Sequence, residues 1–547
     1  MSSLSYRLVA VSLALNACGA PATTAAVTAP TPTSVSSAPA MPAGPATRIP
    51  PTVMTEPPKN WQLLDETADH VPGISLERAT SELLKSKTPK QTVLVAIIDN
   101  GIDTMHVDLK EHLWTNPKDG THGWNFIGGK DGKDVNFDTF EVTRQYARCH
   151  NKAAASGAPA ITDAAQCKEI DDAYAKQRTS IERTADNYRQ VNNMLRQIVP
   201  ALARVAGVPP ESLTTDRVRA ISPSQPQLVQ ARGMFLDLAQ QGATPSAIED
   251  GLKSLEGQVQ YSLNADYNPR TIVGDNYANP NEHDYGNRDV MGPEAKHGTH
   301  VAGIIGAVRG NGIGIDGIAS SVKFMMIRTV PDGDERDKDV ANAIRFAADH
   351  GAQIISMSFG KAYSPYKAAV DDAVRYADSK GVLMVHAAGN DGADLAAGKN
   401  FPKPEYNDGG HPQNWIEVGA SSWKGGDSLA APFSNYAQKL VDVFAPGVDI
   451  LSTVPGNQYE RDSGTSMAAP VVSGLAALIM GYYPNLTAGD VKRIIMSSVT
   501  RVDQSVIRPG EDGPKVPFSS LSVTGGIVNA YNAIKMADDV SNGKARP

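Results

Sequence analysis

Cysteine is almost absent from this sequence: 547 residues carry three, Cys18, Cys149 and Cys167. None stands in metal-ligand spacing with a histidine, and His297 and His300 belong to no HExxH pattern, which argues against a zinc peptidase. A basic excess is missing too. Lys and Arg number 51 against 59 Asp and Glu, for a formal charge of −8, so no surplus exists to neutralise phosphates and nucleic acid is not expected as a partner. The apolar run Leu8 to Leu15, which follows Arg7, is too short to span a bilayer permanently and has the length of a secretory signal h-region. What remains is the composition of a soluble chain, 41% hydrophobic, able to bury a large core and too long for one ordinary domain.

Charge is also absent from residues 19–47, the stretch before Arg48. Residues 19–58 are nearly all Ala, Pro, Thr, Ser and Val, a composition that cannot build a core and predicts a flexible tether. Immediately before it, Leu15-Asn16-Ala17-Cys18-Gly19 resembles a bacterial lipobox, with Asn16 a departure from the small or apolar residue usual there. That resemblance implies a signal peptide over 1–18, lipidation of Cys18, and an extracytoplasmic protein held to a bacterial membrane, at the outer membrane or cell surface, by its N-terminal lipid.

The chemistry concentrates in three stretches. Gly464-Thr465-Ser466-Met467-Ala468-Ala469-Pro470 sets one hydroxyl among small residues, just before an apolar run to Met480 that predicts a buried helix. Pro470 is tolerable only near that helix's start, where its missing N–H would be an orphan anyway. A serine there lies beside unpaired N–H groups and the positive end of the helix dipole, which suits a nucleophile that creates an oxyanion. Such a hydroxyl needs a base and a group to orient the base. Val93 to Ile98 reads as a buried parallel strand ending in Asp99, and His297-Gly298-Thr299-His300-Val301-Ala302-Gly303 supplies an imidazole. The chain order Asp, His, Ser is one known for the triad.

These motifs resemble those of the subtilisin-like serine peptidases, the subtilase superfamily. The resemblance implies an α/β fold of three layers with a mostly parallel central sheet, and Asp99, His297 and Ser466 as catalytic residues. Val385-His386-Ala387-Ala388-Gly389-Asn390 resembles the segment of the family's oxyanion-hole asparagine, so Asn390 takes that role beside the Ser466 N–H. Ser358-Phe359-Gly360 and Ala387-Ala388-Gly389 resemble the two walls of the S1 pocket and imply a hydrophobic or broad P1 preference, with Asp391 leaving room for a basic one. Asn311-Gly312-Ile313-Gly314-Ile315 resembles a loop that binds structural Ca²⁺ in many subtilases, with Asp108 as the accompanying acid and Asn311, Ile313 and Ile315 as further ligands. No cofactor is required otherwise. The family often places a pro-domain before the Asp strand, and the residues between the tether and Val93 are too few for one.

The peptidase domain is expected over 59–140 and 264–540. Asp99 and His297 stand 198 positions apart, far more than is common in the family, which implies a helical insertion over 141–263. Ile170, Tyr174, Ile181, Ala185, Tyr188 and Leu195 recur at helical spacing within it. Cys149 and Cys167 lie in it and are expected to pair, since thiols outside the cytoplasm usually do. Function then divides between an endopeptidase acting on proteins or peptides through an acyl-enzyme and a catalytically dead scaffold that binds at the surface.

Overall fold

A computed structural model describes residues 46–152, 159–240, 243–510 and 513–546. Cys18 and the expected signal peptide lie outside them. The described residues divide into two compact units, one made of those up to 187 together with those from 252 onward, the other of residues 188–251.

The larger unit is built on a sheet of nine strands in the order β10-β13-β7-β6-β5-β4-β1-β3-β2. They are β1 (Val93–Asp99), β2 (Gly123–Asn125), β3 (Val322–Arg328), β4 (Ile354–Met357), β5 (Leu383–Ala387), β6 (Trp415–Ser421), β7 (Val443–Pro446), β10 (Thr500–Arg501) and β13 (Gly526–Ile527). Two antiparallel hairpins stand apart, β8 (Ile450–Val454) with β9 (Gln458–Asp462) and β11 (Ser505–Ile507) with β12 (Lys515–Pro517). All pairings in the large sheet are parallel except β10 with β13. Its strands are apolar on both faces because helices cover both. Along β1, Val93, Val95 and Ile97 join one apolar cluster with the helices Lys296–Gly306 and Thr465–Tyr482. Ala96 and Ile98 point the other way, into a second cluster with Asp337–Asp349 and Lys367–Ser379. This is a three-layer α/β fold in which Asp99, Ser358 and Asn390 lie at or just past the C-terminal ends of three adjacent interior strands, β1, β4 and β5.

Thr465–Tyr482 is long and apolar enough by composition to cross a membrane, yet 89% of its apolar window is buried in the protein. It is the central core helix.

The expected tether runs too far toward the C-terminus. Thr47 already pairs with Val502, Ile49 is 2% exposed among Val502, Phe518 and Leu521, and Thr52 N–H donates to the Lys424 carbonyl. A composition dominated by Ala, Pro and Thr conceals the one isoleucine that finds a pocket.

The root of the insertion belongs to the larger unit. Helix Glu141–Cys149 packs Phe140 and Val142 against Tyr174 and Leu263, and the Tyr174 hydroxyl donates to the Leu263 carbonyl at 2.7 Å. Cys149 and Cys167 are joined in a disulfide with 5.6 Å between Cα atoms. The smaller unit is helical; it buries Tyr188, Leu195, Leu202, Val218 and Phe235, and contains Thr215–Ala220 and Pro226–Gln240.

Candidate active site

Asp99 closes β1 and is 1% exposed, while His297 is the second residue of Lys296–Gly306. His297 Nδ1 lies 2.8 Å from Asp99 Oδ1 and 3.0 Å from Oδ2. The approach is close because Gly298 has no side chain: a Cβ there would fall 2.2 Å from the Gly101 carbonyl oxygen and 3.2 Å from Asp99 Cβ. Asp99 is fixed from two further sides, with the Asn100 N–H on its Oδ1 at 2.7 Å and Thr329 N–H on its carbonyl at 3.0 Å. Burial pushes the His297 ring down in pKa, and the Asp99 charge and hydrogen bond more than reverse this, leaving it above its ordinary 6.5. Nδ1–H toward the carboxylate leaves Nε2 as the basic nitrogen.

Ser466 is the second residue of Thr465–Tyr482. Its hydroxyl donates to the Ser358 carbonyl at 3.0 Å, and the Ser358 hydroxyl donates back to the Ser466 carbonyl at 3.0 Å. Pro470 explains why that carbonyl is available. Four residues on in a helix, an N–H would take it, and proline has none.

Asn390 is turned by Thr465. Its Oδ1 accepts the Thr465 N–H at 2.8 Å and the Thr465 hydroxyl at 3.0 Å, so its Nδ2 faces the other way. A Cβ on Gly464 would lie 3.5 Å from both Asn390 Nδ2 and Ser466 N. The two donors therefore converge on one small space that only the absence of a side chain leaves open, which is the geometry of an oxyanion site.

The expected pocket walls are tied together by residues that the motifs do not include. Asn400 Nδ2 donates to the Ala387 carbonyl at 3.1 Å, and Asn400 Oδ1 would lie 2.2 Å from a Cβ on Gly360. Asn400 thus bridges both walls. Buried His386 places Nδ1 2.9 Å from Glu417 Oε1 and Nε2 2.9 Å from the Phe359 carbonyl, so an acid on β6 braces the first wall through an imidazole on β5. No local pattern marks Asn400 or Glu417; both act through chain segments that only the fold brings together.

His300 is held below its ordinary pKa, at about 4, first by burial, and its Nε2 lies 3.1 Å from the carbonyls of Ile450 and Glu460. It is a neutral packing residue.

Asp108, Asn311, Ile313 and Ile315 come together, with the acid and the amide already engaged by protein donors. Asn311 Nδ2 donates to Asp108 Oδ1 at 2.6 Å, and the Tyr459 hydroxyl donates to Oδ2 at 2.7 Å. The Ile315 N–H approaches the same Oδ2 at 3.4 Å, and Asn311 Oδ1 is taken by the Ile313 N–H at 2.9 Å. A cation here would compete with these donors for the side-chain oxygens of Asp108 and Asn311. Among the described residues no group of three or more His, Cys, Asp or Glu is placed to hold a metal.

Residues 90–514 match the subtilase family, peptidase S8. The thermophilic serine proteinase of Bacillus sp. (strain AK1) is 44% identical over 184 residues, which are 34% of this chain and 42% of that protein. Subtilisin DY of Bacillus licheniformis is 34% identical over 210 residues, 38% of this chain and 72% of that protein. Alkaline elastase YaB of Bacillus sp. (strain YaB) is 36% identical over 207 residues, 38% of this chain and 50% of that protein. The chain therefore spans half or less of the length of two of these three relatives. A solved structure titled as proteases from Pseudoalteromonas arctica PAMC 21717 aligns over 88% of this chain and 98% of its own, at 19% identity and a TM-score of 0.46.

Proposed function

The chain belongs to the subtilase family of subtilisin-like serine peptidases, and from that premise we propose an exported endopeptidase that cuts proteins or peptides through Asp99, His297 and Ser466. In the proposed cycle Ser466 Oγ turns from the Ser358 carbonyl toward His297 Nε2, gives it the proton and attacks the scissile carbonyl. Asn390 Nδ2 and the Ser466 N–H donate to the oxyanion, and His297 returns the proton to the leaving amine. Water then repeats the sequence on the acyl-enzyme. Asp99 holds the tautomer and offsets the charge of the imidazolium.

The observation that carries the reading is the His297 Nδ1 to Asp99 Oδ1 contact at 2.8 Å, across 198 residues and with all four roles filled by competent groups. Labelling by a fluorophosphonate serine-hydrolase probe tests it. Wild type should label and Ser466→Ala should not; equal labelling of both, or casein hydrolysis undiminished in Ser466→Ala, would remove the mechanism.

The same reading places the protein outside the cytoplasm on a lipid attached to Cys18. It is supported by the signal-like N-terminus and by the Cys149–Cys167 disulfide, which suits an oxidising compartment. Release of Cys18→Ser into the soluble extracytoplasmic fraction is the expected result, and a variant that still sediments with membranes would argue against it.

A further inference from the structure

The first pocket wall does not end at Gly360. The next residue, Lys361, is 5% exposed, and its ammonium leaves the wall to reach the segment that follows β3. Nζ donates to the Glu335 carbonyl at 2.8 Å and pairs with Asp337 Oδ1 at 2.8 Å and Glu141 Oε2 at 3.2 Å. Glu141 belongs to the insertion root. So does Arg144, which pairs with Glu141 at 2.6 Å and donates to the carbonyls of Asp334 and Glu335 at 3.3 and 3.2 Å. Burial penalises the charges of Glu141, Lys361 and Arg144, and their attraction to their partners outweighs it: Glu141 is drawn down to about 2, and Lys361 and Arg144 are held above their ordinary range. Removing one partner would strand the others.

The backbone around this cluster shows what it closes. A peptide in an active-site cleft binds by adding a strand to free backbone edges. On the first wall the Ser358 carbonyl faces Ser466, and among the described residues Gly360 uses neither its N–H nor its carbonyl internally. Ser358 and Gly360 share an edge, since successive residues alternate. Lys361 pairs its own backbone with Phe401 on the opposite edge, at 3.1 and 2.9 Å. On the segment that Lys361 reaches, the Asp332 backbone is consumed by Asn136 and Asp138, whereas among the described residues Gly333 makes no internal backbone bond. The Glu335 carbonyl is capped by Lys361 and Arg144. Gly360 and Gly333 therefore offer free backbone groups, the Ser358 carbonyl becomes one when the Ser466 hydroxyl leaves it, and Lys361 with Arg144 and Glu141 links the Gly360 segment to Glu335, two residues beyond Gly333.

We propose that Glu141 and Arg144 of the insertion root, with Lys361, form an end wall to the acyl side of the substrate cleft, so that the enzyme reads about three residues before the scissile bond, at roughly 3.3 Å per residue. The insertion would then set how much of an extended polypeptide is recognised. This rests on the peptidase reading, and Lys361 acts as a specificity-determining residue remote from the reacting atoms.

The test is a series of peptides with one leaving group and two to six residues on the acyl side, assayed with the full chain. Remote contacts raise kcat/KM wherever subsites exist. In wild type, kcat/KM should rise up to the third residue and change by less than about threefold from the third to the sixth. A further rise of about tenfold or more would overturn the end wall. Lys361→Ala should restore dependence on the fourth and fifth residues, and Lys361→Arg should behave as wild type; a folded Lys361→Ala with the wild-type length profile would also count against the proposal. The wild-type series decides the matter if that variant does not fold. Absence of both hydrolysis and fluorophosphonate labelling at every length would instead remove the peptidase reading beneath it.

Discussion

Ser358 and Ser466 exchange hydrogen bonds, the hydroxyl of each donating to the main-chain carbonyl of the other at 3.0 Å. The exchange joins the expected nucleophile to the expected substrate wall before any substrate binds. It also aims the Ser466 hydroxyl proton at the Ser358 carbonyl, a looseness common when catalytic groups have no substrate to tighten them. Because Pro470 cannot supply the usual helical N–H, the Ser358 hydroxyl is the group that satisfies the Ser466 carbonyl.

Ser358→Ala should therefore cost about 1 kcal/mol of stability, the penalty of leaving that partly buried carbonyl without its partner. Pro470→Ala restores an N–H in the right place, so the double variant should be less destabilised than the sum of the two single changes. Urea unfolding of the four proteins measures the coupling; strict additivity would show that Pro470 and Ser358 do not share this acceptor.

The Asp99–His297 pair fixes the direction of the pH dependence. The base must be neutral to accept the Ser466 proton, so kcat/KM should be lost as pH falls through a His297 pKa above 6.5. Asp99→Asn removes the charge that raises it and leaves burial, which lowers it. The acid limb should then move to lower pH while kcat falls by about 10⁴, a magnitude taken from serine peptidases in general. An unmoved limb would show that another group controls it. For folding the sign is opposite: the pair's contribution is complete below the unfolded value and fades as pH rises through the raised one.

Asn400 bridges the two expected pocket walls, with its carboxamide against Gly360 and the Ala387 carbonyl. Asn400→Asp places a carboxylate there. The preference for Lys or Arg over Leu at P1 should rise by about tenfold, one favourable charge pair in a partly desolvated pocket. Matched p-nitroanilides measure the ratio, and no change in it would place Asn400 outside the pocket.

The placement of the candidate catalytic stretches was legible because each is contiguous and its local geometry follows from its own residues: Asp99 at the end of an apolar strand, small residues around Ser466, Gly298 beside His297. The layered fold was legible from alternating apolar strands and amphipathic helices. What stayed hidden depends on residues distant in sequence. Lys361 and Glu141 are 220 positions apart, and His386 and Glu417 lie on different strands, so nothing local distinguishes them from surface charges. Tyr459 is likewise hidden: it is 351 residues from Asp108 and brings a hydroxyl to the carboxylate expected to accompany calcium.

The fastening of residues 47–61 has a mechanical consequence. Thr47 is held by Arg501 and Asp503, Ile49 by a buried pocket and a 2.8 Å bond from its N–H to Gln504, and Trp61 by its indole bond to the Val448 carbonyl at 3.0 Å. A pull on residue 46 meets these in series before it reaches β1. Drag on the protein, or tension from a substrate gripped in the cleft, would be borne by the Val502 and Val448 regions of the body, leaving the strand that carries Asp99 unloaded. The rate at which the first fastener slips, rather than the stability of the whole, would set how long the enzyme keeps its shape under force.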